Sequence, residues 1–144
     1  MKKKDFTGTW KLVSSEFRLP DGQAFYPYGR DAVGMLMYSD SGYMSVQIMR
    51  RERLLFTSGD RLTGTAEEIK SAFEGYAAYF GTYRVNQKEG TVTHQVEGSL
   101  FPNWAGINQE RFFELSDGQL TLRTPEVILG GQQMTGILQW KRTG

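Results

Sequence analysis

With 144 residues, 39% of them hydrophobic, the chain is long enough for one domain with a sizeable core and too short for two comfortable ones. Its 17 basic and 16 acidic side chains nearly cancel, which argues against nucleic acid or an anionic membrane as a partner. Zero cysteines exclude disulfides, thiolate nucleophiles and sulfur-ligated metals. The expectation is a single soluble, cytoplasmic domain over residues 1–144.

Met1-Lys2-Lys3-Lys4-Asp5 has the charge of an export leader, but glycine, threonine and tryptophan stand where its apolar stretch would follow, so no export signal is read. The longest apolar runs fall far short of a bilayer span. Gly8-Thr9-Trp10 opens a first strand whose alternation to Leu19 is imperfect, and Pro20-Asp21-Gly22 turns the chain. Ala32 to Ser39 and Tyr43 to Arg50 form a hairpin around Asp40-Ser41-Gly42. Thr65 and Glu68 form a capping box. From there Ile69, Phe73, Tyr76 and Phe80 recur at helical spacing, which predicts a helix with one apolar stripe running to Phe80.

Five more strand-like segments follow: Gly81 to Gln87, Thr91 to Leu100, Gln109 to Ser116, Gln119 to Thr124 and Met134 to Arg142. Lys88-Glu89-Gly90 and Asp117-Gly118 supply hairpin turns. About eight short strands and one helix predict a mainly β fold, an antiparallel β-barrel whose closure removes aggregation-prone edges. A sandwich is the rival architecture.

Few residues can carry chemistry. His94 is the only histidine, so a Ser/His/Asp triad would rest on it alone and no multi-histidine metal site exists. It shares parity with Val92 and Val96, which turns the imidazole inward. It could be a hydrogen-bonded core residue, a ligand-binding group, a general base or an axial haem ligand. Arg111, with Gln109 and Phe113, lies opposite Glu110 and Glu114. If the glutamates face water, the guanidinium faces the interior and needs a carboxylate or an anionic or carbonyl-bearing ligand. Tyr38 and Tyr83 are candidate phenol hydrogen-bonders.

On the strand from Tyr43, Met44, Val46 and Ile48 form one face and Tyr43, Ser45, Gln47 and Met49 the other. If the helix covers the apolar face, Gln47 and Met49 meet the ligand. The segment from Ser99 to Asn108 carries Phe101, Pro102, Asn103 and Trp104 and reads as an aromatic lid or rim, with Gly106 allowing an unusual backbone angle. Arg50, Arg51, Arg53 and Arg61 form a basic patch that reads as solvated surface. No phosphate-binding glycine loop and no metal or cofactor site is expected.

Several stretches carry a resemblance: Gly8-Thr9-Trp10; Tyr28-Gly29-Arg30 running into Gly34-Met35-Leu36-Met37-Tyr38 and Gly42-Tyr43-Met44-Ser45-Val46-Gln47-Ile48-Met49-Arg50; Tyr79-Phe80-Gly81-Thr82-Tyr83; His94 to Gly106; and Gln109-Glu110-Arg111-Phe112-Phe113 with Leu120-Thr121-Leu122. Together the chain resembles the intracellular lipocalin-like domain family of bacteria and fungi. The resemblance implies a calycin-type barrel with a helix between its third and fourth strands, and Arg142 packed over Trp10.

The function this points to is noncovalent binding of a small, largely apolar molecule in the barrel cavity. The candidate ligand-binding residues are His94, Arg111, Tyr83, Tyr38, Gln47, Met49, Phe113 and Trp104. The alternative is an isomerase or cyclase acting on a polyketide-like substrate in the same cavity. A third reading is a filled barrel acting as a structural module, which keeps a homodimer among the partners.

Overall fold

The computed structural model describes residues 3–144; the start of the basic leader-like segment, Met1 and Lys2, lies outside them. A short 3-10 turn (Lys3–Asp5) precedes β1 (Gly8–Arg18), β2 (Ala24–Phe25), β3 (Val33–Tyr38), β4 (Tyr43–Met49), α1 (Ala66–Glu74), β5 (Tyr76–Asn86) and β6 (Thr91–Ser99). A second 3-10 turn (Pro102–Trp104) leads to β7 (Asn108–Ser116), β8 (Gln119–Arg123), β9 (Val127–Leu129) and β10 (Gln132–Arg142). Every pairing is antiparallel, and β1 meets both β3 and β10. The ring β1-β3-β4-β5-β6-β7-β8-β10 therefore closes, with β2 and β9 as short additions. Closure decides for the barrel over the sandwich. Among the described residues no helix is long and apolar enough to cross a membrane.

A bulge explains the imperfect alternation of β1. The register against β10 shifts between Leu12 and Ser14, so exposed Val13 is the extra residue and inward parity passes from Trp10 and Leu12 to Ser15 and Phe17. A second irregularity, between Phe80 and Gly81 of β5, brings two backbones together. A β-carbon on Gly81 would lie 1.9 Å from the Gln95 carbonyl oxygen, so only glycine fits.

The helix is shorter than its apolar periodicity. Its capping box forms as read: Glu68 N–H donates to Thr65 Oγ1 at 3.1 Å, and Thr65 N–H donates to Glu68 Oε1 at 2.8 Å. Glu68 Oε2 also accepts from the Thr57 amide and hydroxyl, tying the preceding loop to the helix. These bonds, led by the one from Thr65, hold the Glu68 carboxyl below its ordinary value. Gly75 ends the helix, its amide returning to the Ser71 carbonyl. Tyr76 and Phe80 are strand residues of β5, pairing with Met49 and Ser45 of β4.

The stripe to Phe80 is thus a coincidence of spacing across a helix and a strand. The helix half of it does not cover the barrel either, for Ile69 is 51% and Phe73 44% exposed. Thr65→Ala is expected to cost about 1 kcal/mol, measurable as a lower urea midpoint.

One end of the barrel is solid. Trp10 and Phe6 are fully buried with Tyr38, Met44, Tyr83, Val92 and Leu120. The Trp10 indole N–H donates to the Phe6 carbonyl at 2.9 Å. The Arg142 guanidinium stacks 4.3 Å from the Trp10 ring centre and donates to the Thr7 and Asp5 carbonyls. Gly8 fits because its φ is +134° and a β-carbon would strike the Gly144 carbonyl oxygen at 2.3 Å. The pairing of Arg142 with Trp10 is therefore structural.

Candidate ligand-binding site

Above this floor the interior opens. A partly enclosed cavity of about 90 Å³ has room for a few waters or one small ring. Its sides are apolar: Leu36 on β3, Val46 and Ile48 on β4, Leu122 on β8 and Leu138 on β10. Strand alternation puts these residues inside. The face of β4 that stayed ambiguous in the sequence is settled: Met44, Val46 and Ile48 are buried and face the interior.

Gln47 and Met49 are corrected accordingly. They lie on the opposite face of β4, outside the cavity, where the Gln47 amide donates to Ser45 Oγ at 2.8 Å. The condition that would have turned them inward, a helix packed over the other face, is not met.

The polar groups converge on His94. Tyr38 Oη lies 2.6 Å from His94 Nε2, and Tyr79 Oη lies 2.6 Å from His94 Nδ1. Burial, reinforced by the nearby Arg111 cation, lowers the imidazole to about 3, so it is neutral at physiological pH. Burial also raises both phenols, that of Tyr38 most, while Arg111 partly offsets the rise at Tyr79. Both hydroxyls keep their protons.

A neutral imidazole has one donor and one acceptor nitrogen. Tyr38 is 2% exposed and has no hydrogen-bond partner but His94 among the described residues, so its hydroxyl donates to Nε2. Nδ1–H then donates to Tyr79, which leaves the Tyr79 hydroxyl proton free to point into the cavity. This assignment follows from satisfying the buried Tyr38 donor.

Arg111 lines the same wall, as the exposed Glu110 and Glu114 on its strand imply. One bond of its guanidinium goes to the Glu110 carbonyl at 3.0 Å. No carboxylate among the described residues lies within ion-pair distance of it, and no acidic residue lines the cavity. A half-buried cation without a counterion attracts an anionic or carbonyl oxygen.

Of the eight residues singled out from the sequence, His94, Arg111 and Trp104 line the cavity. Tyr38 sits one layer down, holding His94. Tyr83 and Phe113 point inward but belong to the floor. The Tyr83 hydroxyl donates to the Ser39 carbonyl at 2.7 Å with its ring against Tyr38, and Phe113 packs edge-on against Phe6 at 4.8 Å. Trp104 stands at the mouth in the 3-10 turn, edge-on to Tyr79 at 6.0 Å and to Phe101 at 5.3 Å. Gly106 follows with φ +84°, the unusual angle expected there.

Tyr79 was missed because the helix read from the sequence ran to Phe80 and included it, whereas it is a strand residue. Ser15 was missed because only a bulge turns it inward. The basic patch stays at the surface, with Arg51 3.7 Å from Asp31 and Arg53 over the Tyr76 ring at 5.0 Å.

A curated protein of Aspergillus oryzae (strain ATCC 42149 / RIB 40), named 4'-hydroxy-3'-methoxypropiophenone carrier protein ppsC, is 33% identical over 106 residues, covering 69% of this chain and 96% of that protein. A crystal structure of a lipocalin-like protein from Bacteroides uniformis ATCC 8492 covers 96% of this chain and 99% of its own, at 14% identity and a TM-score of 0.48. The family model described as the lipocalin-like domain matches residues 7–143. The chain belongs to the lipocalin-like domain family.

Proposed function

We propose that the protein is a noncovalent carrier, a single domain over residues 1–144 that holds a small, largely apolar molecule in the open half of its barrel. The observation that carries this reading is an apolar-walled cavity that nonetheless holds a cation with no counterion, Arg111, beside the Tyr79 hydroxyl. Apolar walls supply affinity at roughly 25 cal/mol per Å² of area covered, and the two polar groups orient one oxygen of the ligand. The similar Aspergillus protein is named as a carrier of a phenolic ketone, a molecule with that combination of ring and oxygens. Zero cysteines fit an intracellular setting.

An isomerase or cyclase would use the same cavity, but the residues around it favour holding over reacting. Both His94 nitrogens are engaged by phenols, and no carboxylate lines the wall to act as a base. Haem ligation would likewise require breaking one of the two imidazole bonds.

Calorimetric titration with 4-hydroxyacetophenone tests the carrier reading. Micromolar binding is expected, weakened about tenfold or more in Arg111→Met. The melting temperature of that variant should be unchanged or higher, because a poorly compensated cation has been removed. Equal affinity in both proteins would remove Arg111 from the site.

A further inference from the structure

Two buried polar atoms of the cavity wall stand apart from the Tyr38–His94–Tyr79 chain without a partner. Trp140 is 1% and Ser15 2% exposed, and both line the cavity. Neither the Trp140 indole N–H nor the Ser15 hydroxyl has a hydrogen-bond partner among the described residues. Buried donors are nearly always satisfied, so two orphans on one wall call for a shared explanation.

Strand register puts them together. Trp140 pairs with Leu12 and Leu138 with Ser15 across β10 and β1, which makes Ser15 and Trp140 diagonal neighbours on the same face. The ring order sets where that face looks. In an eight-membered ring, β1 stands opposite β6 and β10 opposite β5. Ser15 and Trp140 therefore face His94 and Tyr79 across the cavity, with Leu36, Val46 and Ile48 on one flank and Leu122 on the other.

Building on the carrier reading, we propose that the cavity grips its ligand at two ends. The ligand is a small apolar body, an arene in the simplest case, with an acidic or strongly accepting oxygen against Tyr79 and Arg111 and a second acceptor, a carbonyl or ether oxygen, against Trp140 and Ser15. Indole donates but cannot accept, so the second group must be an acceptor.

Three compounds separate the ends: 4-hydroxyacetophenone carries both oxygens, 4-ethylphenol lacks the carbonyl, and acetophenone lacks the hydroxyl. In the native protein the first should bind about tenfold more tightly than either of the others. In Trp140→Phe the ratio of Kd values between 4-ethylphenol and 4-hydroxyacetophenone should collapse toward one. Ser15→Ala should move it the same way, and this variant decides if Trp140→Phe fails to fold by circular dichroism. A native ratio near one, or a ratio unmoved by Ser15→Ala and by folded Trp140→Phe, overturns two-ended recognition while leaving the carrier reading intact. If none of the three compounds binds the native protein, the carrier reading falls, and this inference with it.

Discussion

Trp10→Ala is expected to lower the unfolding free energy by about 3–5 kcal/mol, the largest loss for any single truncation at the floor. Three things fail at once. The fully buried indole leaves a void among Phe6, Tyr38 and their neighbours. The Phe6 carbonyl loses its donor, and Arg142 loses the ring on which its guanidinium is stacked. Because Arg142 also ties the Thr7 and Asp5 carbonyls to β10, loosening it frees the N-terminal turn that closes the barrel. Urea unfolding followed by circular dichroism measures the change. Trp104→Ala, at the half-exposed mouth, is the control and should cost less than about 1 kcal/mol. If the two variants lost similar stability, the solid end would not be what holds the barrel shut.

Acid should destabilise the protein well above the range in which its carboxylates titrate. His94 is held neutral down to about pH 3, whereas in the unfolded chain an imidazole takes up a proton near pH 6.5. Below that point the unfolded state binds one more proton than the folded state, so stability is lost as pH falls and is fully present above it. Between pH 7.5 and 4.5 the loss is about 2–3 kcal/mol. The carboxyls of Glu16 and Glu68 are lowered from 4.5, so they add their own losses only below this window. Urea midpoints at several pH values across it should fall steadily in the native protein. In His94→Gln, which keeps a polar partner for the two phenols but cannot titrate, the profile should be flat. A native profile as flat as that of the variant would mean that the imidazole takes up its proton at the same pH in the folded as in the unfolded chain, and the hydrogen-bond chain to Tyr79 would have to be redrawn.

The strands were legible because each buries one face, and alternation marks which residues share it. Glu110 and Glu114 point Arg111 inward, and Val92 and Val96 do the same for His94. Alternation carries no information about depth along the barrel axis. Tyr38, Tyr83 and Phe113 have the right parity yet lie at or below the cavity floor, because which half of the tube is filled depends on how Trp10, Phe6 and Arg142 meet from distant parts of the chain. Periodicity also misled where two elements abut. Phe73, Tyr76 and Phe80 fall at helical spacing, but Gly75 ends the helix and the pairing of Tyr76–Thr82 with β4 outweighs a stripe that had nothing to cover. Tyr79, the donor that meets the cavity, was hidden inside that false helix.

By itself the sequence determined the class of fold and the parity that turns His94 and Arg111 inward, since each follows from local alternation, while Gly8-Thr9-Trp10 pointed to a plugged end only through the family resemblance. Tertiary structure alone decided which face of β4 looks inward, that His94 is gripped by two tyrosines, and that Ser15 and Trp140 face Tyr79 across the opening. Those facts depend on a bulge, a register and the closure of a ring. Each arises from pairing between residues far apart in the chain, where no local pattern reaches.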